Sequence, residues 1–274
     1  MQTELGRFPA EVERPEPLKF AWPIVLFPEL FSTPRHLAVL HGYFATLGWE
    51  VYAPDLRTAA GSGTTPALAA LRFADLVALA WEAVDALGRD TVVLGHGIGG
   101  LLALKLAERP GVRAAAALAP LIPGVTTRLV TGVRNRLALW RGRPLAPPTG
   151  RTLFEFVADA EPFLRERLIG SFIPDSGAAA LEIARGEVTF AATAAPRLIV
   201  AGDSDVFAPA DRCAAFAQSL NARLFTLAGR GHWIVSGRAI ERAVHEIQRF
   251  LVRSLGGDLL LLYPDEWKED AEDA

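Results

Sequence analysis

Between Thr91 and Gly100 the chain reads Thr-Val-Val-Leu-Gly-His-Gly-Ile-Gly-Gly, and an Ala/Leu-rich stretch, Leu101 to Glu108, follows at once. A β-branched apolar run predicts a buried strand, the glycines a tight turn, and the stretch after them a helix. Strand, turn and helix in immediate succession put one residue at the apex of a sharp bend, above the carboxyl ends of a parallel sheet. The rest of the chain alternates to match. Strands are expected at Ile24–Phe27, Glu50–Leu56, Val112–Pro120, Arg197–Ala201 and Ala222–Leu227, with helices at Arg35–Leu47, Leu68–Leu87, Pro209–Leu220 and Ile240–Leu255. Alternation of this length argues for an α/β fold with a mostly parallel, right-handed sheet.

Two mechanisms use such a bend. Gly95-x-Gly97-x-x-Gly100 matches the glycine spacing of a dinucleotide-binding turn. That reading needs an acidic residue about 20 residues on, at the end of the next strand, to hold a ribose. Val112 to Pro120 offers none. The nucleotide reading is set aside, and no cofactor is expected. The second mechanism is the G-x-S-x-G turn, which lifts a serine hydroxyl beside an oxyanion hole. Here the five residues are Gly95-His96-Gly97-Ile98-Gly99. The frame fits, but glycine stands at the apex.

Composition narrows the class. The 274 residues suffice for one α/β domain with an insertion, and a hydrophobic content of 51% with mean hydropathy +0.24 suits a buried sheet. No apolar run reaches the ~18 residues of a membrane span. Residues 1–19 carry Glu4, Glu11, Glu13 and Glu16 without an apolar core, so no secretory signal is expected. Cys213 is the single cysteine, which fits a reducing compartment, and the cytoplasm is the expected location. The net charge of −3 carries no nucleic-acid footprint.

Three further motifs lie at strand ends. Ala53-Pro54-Asp55-Leu56 closes one strand; Gly202-x-x-Asp205-x-x-x-Pro209 follows another; Gly229-Arg230-Gly231-His232-Trp233 follows the last. With the glycine frame around Gly97, these residues resemble the α/β-hydrolase superfamily from about Trp22 to about Leu255. The resemblance implies the α/β-hydrolase fold, a mostly parallel central sheet flanked by helices, with a helical cap insertion. Residues 20–120 and 193–255 would form the core and residues 121–192 the cap. Residues 1–19 are expected as a loose lead-in and 256–274 as an acidic tail. The cap aromatics Trp140, Phe154, Phe156, Phe163 and Phe172 are expected in the cap's own core.

The resemblance also implies roles. Gly97 holds the nucleophile position, Asp205 is the triad acid and His232 the triad histidine, in the chain order expected for the superfamily. The backbone N–H groups of Leu30 and Ile98 would form the oxyanion hole. The family's first core strand ends in His-Gly or Pro-Gly, whereas this chain reads Pro28-Glu29. A carboxylate there opposes oxyanion formation; if Glu29 points to solvent, the Leu30 amide still serves. Asp203 is expected to cap its turn and His96 to pack. His36, His41 and His245 are expected to be structural or exposed, and Cys213 a small buried residue. A metal held by His96, Asp205 and His232 is not favoured, and no metal is expected.

Glycine at the apex removes the nucleophile, a loss of about 10⁶ in kcat in a serine triad. It also removes the ~1–3 kcal/mol of backbone strain that another residue would carry there. The expected protein therefore resembles hydrolases of small carboxylic esters or lactones, with serine-hydrolase turnover absent or very weak. The alternatives are a non-catalytic relative that binds a ligand or partner, an enzyme using His232 and Asp205 as a general base, or a hydrolase whose serine has been replaced. The expected small-molecule partner is an apolar acyl or carbonyl compound. On sequence alone, Gly97→Ser is expected to restore esterase activity.

Overall fold

The computed structural model describes residues 2–61, 65–126, 128–130 and 132–259. Gly63 of the Thr58–Pro66 loop and the tail beyond residue 259 lie outside them. Eight strands form one sheet in the order β1-β2-β4-β3-β5-β6-β7-β8. From β3 (Ile24–Phe27) through β4 (Val51–Pro54), β5 (Thr91–His96), β6 (Val112–Leu118), β7 (Arg197–Gly202) and β8 (Arg223–Leu227), all pairings are parallel. Every residue of β3, β4 and β5 is buried, as strands covered on both faces require.

The expected loose lead-in is instead an antiparallel hairpin, β1 (Gln2–Leu5) and β2 (Phe8–Glu13), that extends the sheet through β4. Its loop is two residues long, and Gly6 at φ +61° supplies the left-handed position that such turns demand. Phe8, Ala10 and Val12 alternate inward along β2. That period of two makes a half-buried strand of a segment whose glutamates and prolines suggested a loop.

Helices flank the sheet. α1 (Ala38–Thr46) packs with α10 (Ile240–Leu259), while α3 (Phe73–Asp85) packs with α4 (Ile98–Leu106). The single helix expected over Leu68–Leu87 is broken into α2 (Pro66–Ala70) and α3. At the break the Leu71 carbonyl turns outward to accept from Ser176 Oγ and the Ala179 amide, and Glu182 accepts from the Phe73 amide at 2.8 Å. These outside partners replace the intrahelical bonds that a continuous helix would have made.

Among the described residues between β6 and β7 lie four helices, α5 (Val133–Trp140), α6 (Gly150–Phe156), α7 (Pro162–Ser171) and α8 (Gly177–Arg185), with one isolated bridge, Leu145–Asp175. Pro162 opens α7, where its missing N–H leaves no helical bond unmade. Of the five aromatic residues expected inside this layer, Phe156 is fully buried and Phe172 half-buried, whereas Trp140, Phe154 and Phe163 face solvent. Among the described residues, no helix is long and apolar enough to cross a membrane.

Candidate active site

The bend after β5 is a strand-to-helix turn with Gly97 at φ +54° and ψ −113°, and α4 begins at the next residue. An L side chain is strained in that conformation, so glycine fits it at no cost. The neighbouring glycines have a separate reason. A Cβ on Gly95 would overlap the Gly99 backbone, and one on Gly99 would overlap the Phe27 carbonyl at the end of β3. A Cβ on Gly100 would press on Ala117 of β6 at 3.1 Å. Close approach of β3, β5, β6 and α4 therefore accounts for Gly95, Gly99 and Gly100 without a phosphate ligand.

Glu29 is the residue that the sequence placed least well. It is 1% exposed and points inward, not to solvent. Its Oε1 accepts from the Leu30 amide at 2.5 Å and from the Ile98 amide at 3.1 Å, the two N–H groups expected to bind an oxyanion. Its Oε2 lies 2.9 Å from His232 Nε2. A Cβ added to Gly97 would fall inside this carboxylate. One side chain thus fills both the place of any side chain at 97 and the space in front of the two amides.

The loop that carries Glu29 is itself held from several sides. Ser32 N donates to the Glu29 carbonyl at 3.1 Å, and Phe31 sits at φ +67°, a position most side chains avoid. Phe31 stays there because Asp175 Oδ2 accepts from its amide at 2.8 Å and its carbonyl accepts from the Ile173 amide at 2.9 Å. Burial raises the Asp175 carboxyl above its usual range, against the pull of Arg57. The layer between β6 and β7 thus clamps the loop into its inward path.

His232 and Asp205, distant in sequence, are hydrogen-bonded at 2.9 Å through Nδ1 and Oδ2. Asp205 Oδ1 also accepts from the Phe207 and Ala208 amides at 2.7 and 3.2 Å. Burial by itself would strip the proton from His232, but Asp205 and then Glu29 outweigh it and hold the pKa up at about 10. The ring is therefore an imidazolium that donates from both nitrogens, one to each carboxylate. Burial raises the Asp205 carboxyl, and the charge of His232 with the two amides more than reverses this, leaving it below its usual value.

His96 packs beside this pair with its ring 5.0 Å from that of His232, and its Nε2 donates to the His232 carbonyl at 2.9 Å. Burial, and then the charge on His232, push its pKa down to about 4, so it is neutral. Donor atoms of Glu29, His96 and His232 lie within 4.8 Å of one another. The His232 and Glu29 atoms are bonded to each other at 2.9 Å, closer than two tetrahedral ligands stand around an ion at ~2.1 Å. Asp203, expected to cap its own turn, reaches instead to the loop after β8, where its Oδ1 accepts from the Gly229 amide at 2.7 Å. His36 and His41 are buried and His245 is exposed.

Aromatic rings close the site. Phe156 and Phe207 stand 5.0 and 5.1 Å from the His232 ring, and Trp233 is fully buried beside His96. What remains open is a cavity of about 40 Å³ between Glu29, Ser32, Arg57, Ile98, Leu102 and Asp175. At ~10–15 Å³ for each enclosed water, that is room for about three water molecules. A separate open groove of about 1030 Å³ between β2 and α1 is lined by none of these site residues.

The chain superposes on a monoacylglycerol lipase of Paleococcus ferrophilus with a TM-score of 0.68 at 19% identity, covering 89% of this chain and 98% of that one. The Est1E protein of Butyrivibrio proteoclasticus, solved with ferulic acid bound, gives 0.65 at 16% identity over 93% and 99%. A soluble variant of the monoglyceride lipase of Saccharomyces cerevisiae gives 0.68 at 15% identity over 93% and 94%. At such identities these likenesses speak for the fold. No curated protein matches the sequence. The family model described as "Alpha/beta hydrolase family" matches residues 31–246, most of the chain. The protein belongs to the alpha/beta hydrolase family.

Proposed function

We propose that this chain is an esterase-like α/β hydrolase whose ester-cleaving site is silenced from within, so that ordinary serine-hydrolase turnover is absent. In this reading Gly97 holds the nucleophile position, Asp205 and His232 are the acid and histidine of a triad scaffold, and Leu30 and Ile98 carry the oxyanion donors. Residues 121–192 are its cap. The observation that carries the reading is the Glu29 carboxylate, which occupies the Leu30 and Ile98 amides, binds His232 Nε2 and overlaps the place of any side chain at 97. An oxyanion hole works by leaving its donors free for charge that develops in the transition state. Here the Glu29 carboxylate already holds them.

Two facts speak against turnover by another route. An imidazole with its pKa at about 10 keeps its proton near neutrality, so His232 is a poor general base. A cavity of about 40 Å³ has no room for an acyl ester. The related lipases and the ferulate-bound protein point to apolar acyl compounds as the ligands of the ancestral site.

The test is short-chain p-nitrophenyl ester hydrolysis by the wild type, Gly97→Ser, Glu29→Gly with Gly97→Ser, and that pair with His232→Ala. Only the double variant is expected to turn over, and His232→Ala should abolish its activity. Gly97→Ser alone should stay inert because its side chain collides with Glu29, which corrects the expectation from sequence. Turnover by the wild type that depends on His232 would overturn the proposal, as would a folded but inert double variant.

A further inference from the structure

α5 turns its apolar side chains outward. Val133, Leu137 and Trp140 follow one another at i, i+4 and i+7 and so share a face. They are 85%, 43% and 80% exposed, and no residue of α5 is buried. A surface helix in a globular protein directs such a face to the core. This one presents it to water.

The charge around it is one-sided. Between Thr126 and Arg151 the sequence has six arginines and no acidic residue, in a chain whose net charge is −3. Arg128 and Arg151 pair with Glu155 at 2.9 and 2.8 Å, and Arg134 donates to the Pro147 carbonyl at 3.0 Å. Arg136, Arg141 and Arg143 are exposed and have no carboxylate partner among the described residues. A groove of about 510 Å³ runs from α5 to α8. It is lined by Val130, Leu139, Trp140 and Leu181 together with Arg136 and Arg185.

We propose that this face docks on a membrane surface bearing anionic lipids, with α5 lying in the headgroup region. Val133, Leu137 and Trp140 enter the acyl boundary, and Arg136, Arg141 and Arg143 meet the lipid phosphates. An indole with an apolar body and one N–H donor is at home at that boundary, and a planar guanidinium matches phosphate oxygens in pairs. The core of a protein–protein interface is depleted in charge. Here Arg136 on α5, with Arg141 and Arg143 just past its end, shares one surface with exposed apolar side chains, a pattern answered by a layer of phosphates over hydrocarbon.

The test is sedimentation of the full chain with vesicles of phosphatidylcholine alone and of phosphatidylcholine mixed with phosphatidylglycerol. The chain should sediment with the mixed vesicles, more weakly with the neutral ones, and be released by salt. Arg136→Gln with Arg141→Gln should lower the partition coefficient about 25-fold, from a factor of about five for each charge lost. Trp140→Ala should weaken binding while leaving the circular dichroism unchanged, because the residue is 80% exposed. Failure to sediment with the mixed vesicles, or equal sedimentation of the variants, would overturn the proposal. Self-association that Trp140→Ala abolishes, without vesicle binding, would instead assign the face to a second copy of the chain.

Discussion

Glu29→Gln removes a charge and almost no volume from the middle of the site. In the native protein His232 keeps its proton up to about pH 10, because Asp205 and Glu29 outweigh burial. In the unfolded chain an imidazole loses its proton near pH ~6.5. Between those values the native state binds one proton more than the unfolded state, so the stability His232 contributes is complete below pH ~6.5 and is lost as pH rises through about 10. The slope approaches about 1.4 kcal/mol per pH unit, or roughly 5 kcal/mol over the window. The glutamine carbonyl can still accept from Leu30 and Ile98, but its amide faces the His232 N–H as a second donor. Asp205 remains, but with the Glu29 charge gone the His232 pKa falls from about 10. Urea unfolding at intervals from neutral to alkaline pH, with the imidazole resonances followed by NMR, checks this. The wild type should be the more stable near neutrality, and the difference should shrink as pH rises. Parallel stability curves, or a wild-type His232 that titrates near pH ~6.5, would refute the coupling of Glu29 to His232.

Two further outcomes follow from packing and burial. Gly99→Ala should cost more than about 3 kcal/mol, because its Cβ meets backbone of Phe27 and Pro28 that cannot give way, whereas Gly42→Ala in α1, with open space around it, should stabilise by about 0.5–1 kcal/mol; chemical denaturation of the two variants distinguishes them. The Cys213 thiol is fully buried and pushed up to about 12 by burial, so thiol reagents should modify it only at the rate of unfolding.

Some of this was legible because it is local. The apolar run into glycines at Thr91–Gly100 predicts β5, its turn and α4 from residues in direct succession, and the strand-end motifs point to Asp205 and His232 by position alone. Elsewhere local reading misled. Pro9 and the glutamates of residues 1–19 suggested a loop, and the inward alternation of Phe8, Ala10 and Val12 acquires meaning only when β4 is present to pair with β2. The unbroken pattern over Leu68–Leu87 concealed a break imposed by Ser176, Ala179 and Glu182.

The sequence by itself determined that no nucleophile stands at residue 97 and that a carboxylate follows Pro28. Only the tertiary structure decided where that carboxylate goes. A glutamate at the end of β3 could extend into solvent and be hydrated at little cost. It turns inward because one amide on the next residue, a second 69 residues away on α4 and an imidazole 203 residues away converge on a single point. A buried anion is tolerable only where such donors meet it. That convergence is a property of the packed sheet and its loops, and no local pattern encodes it.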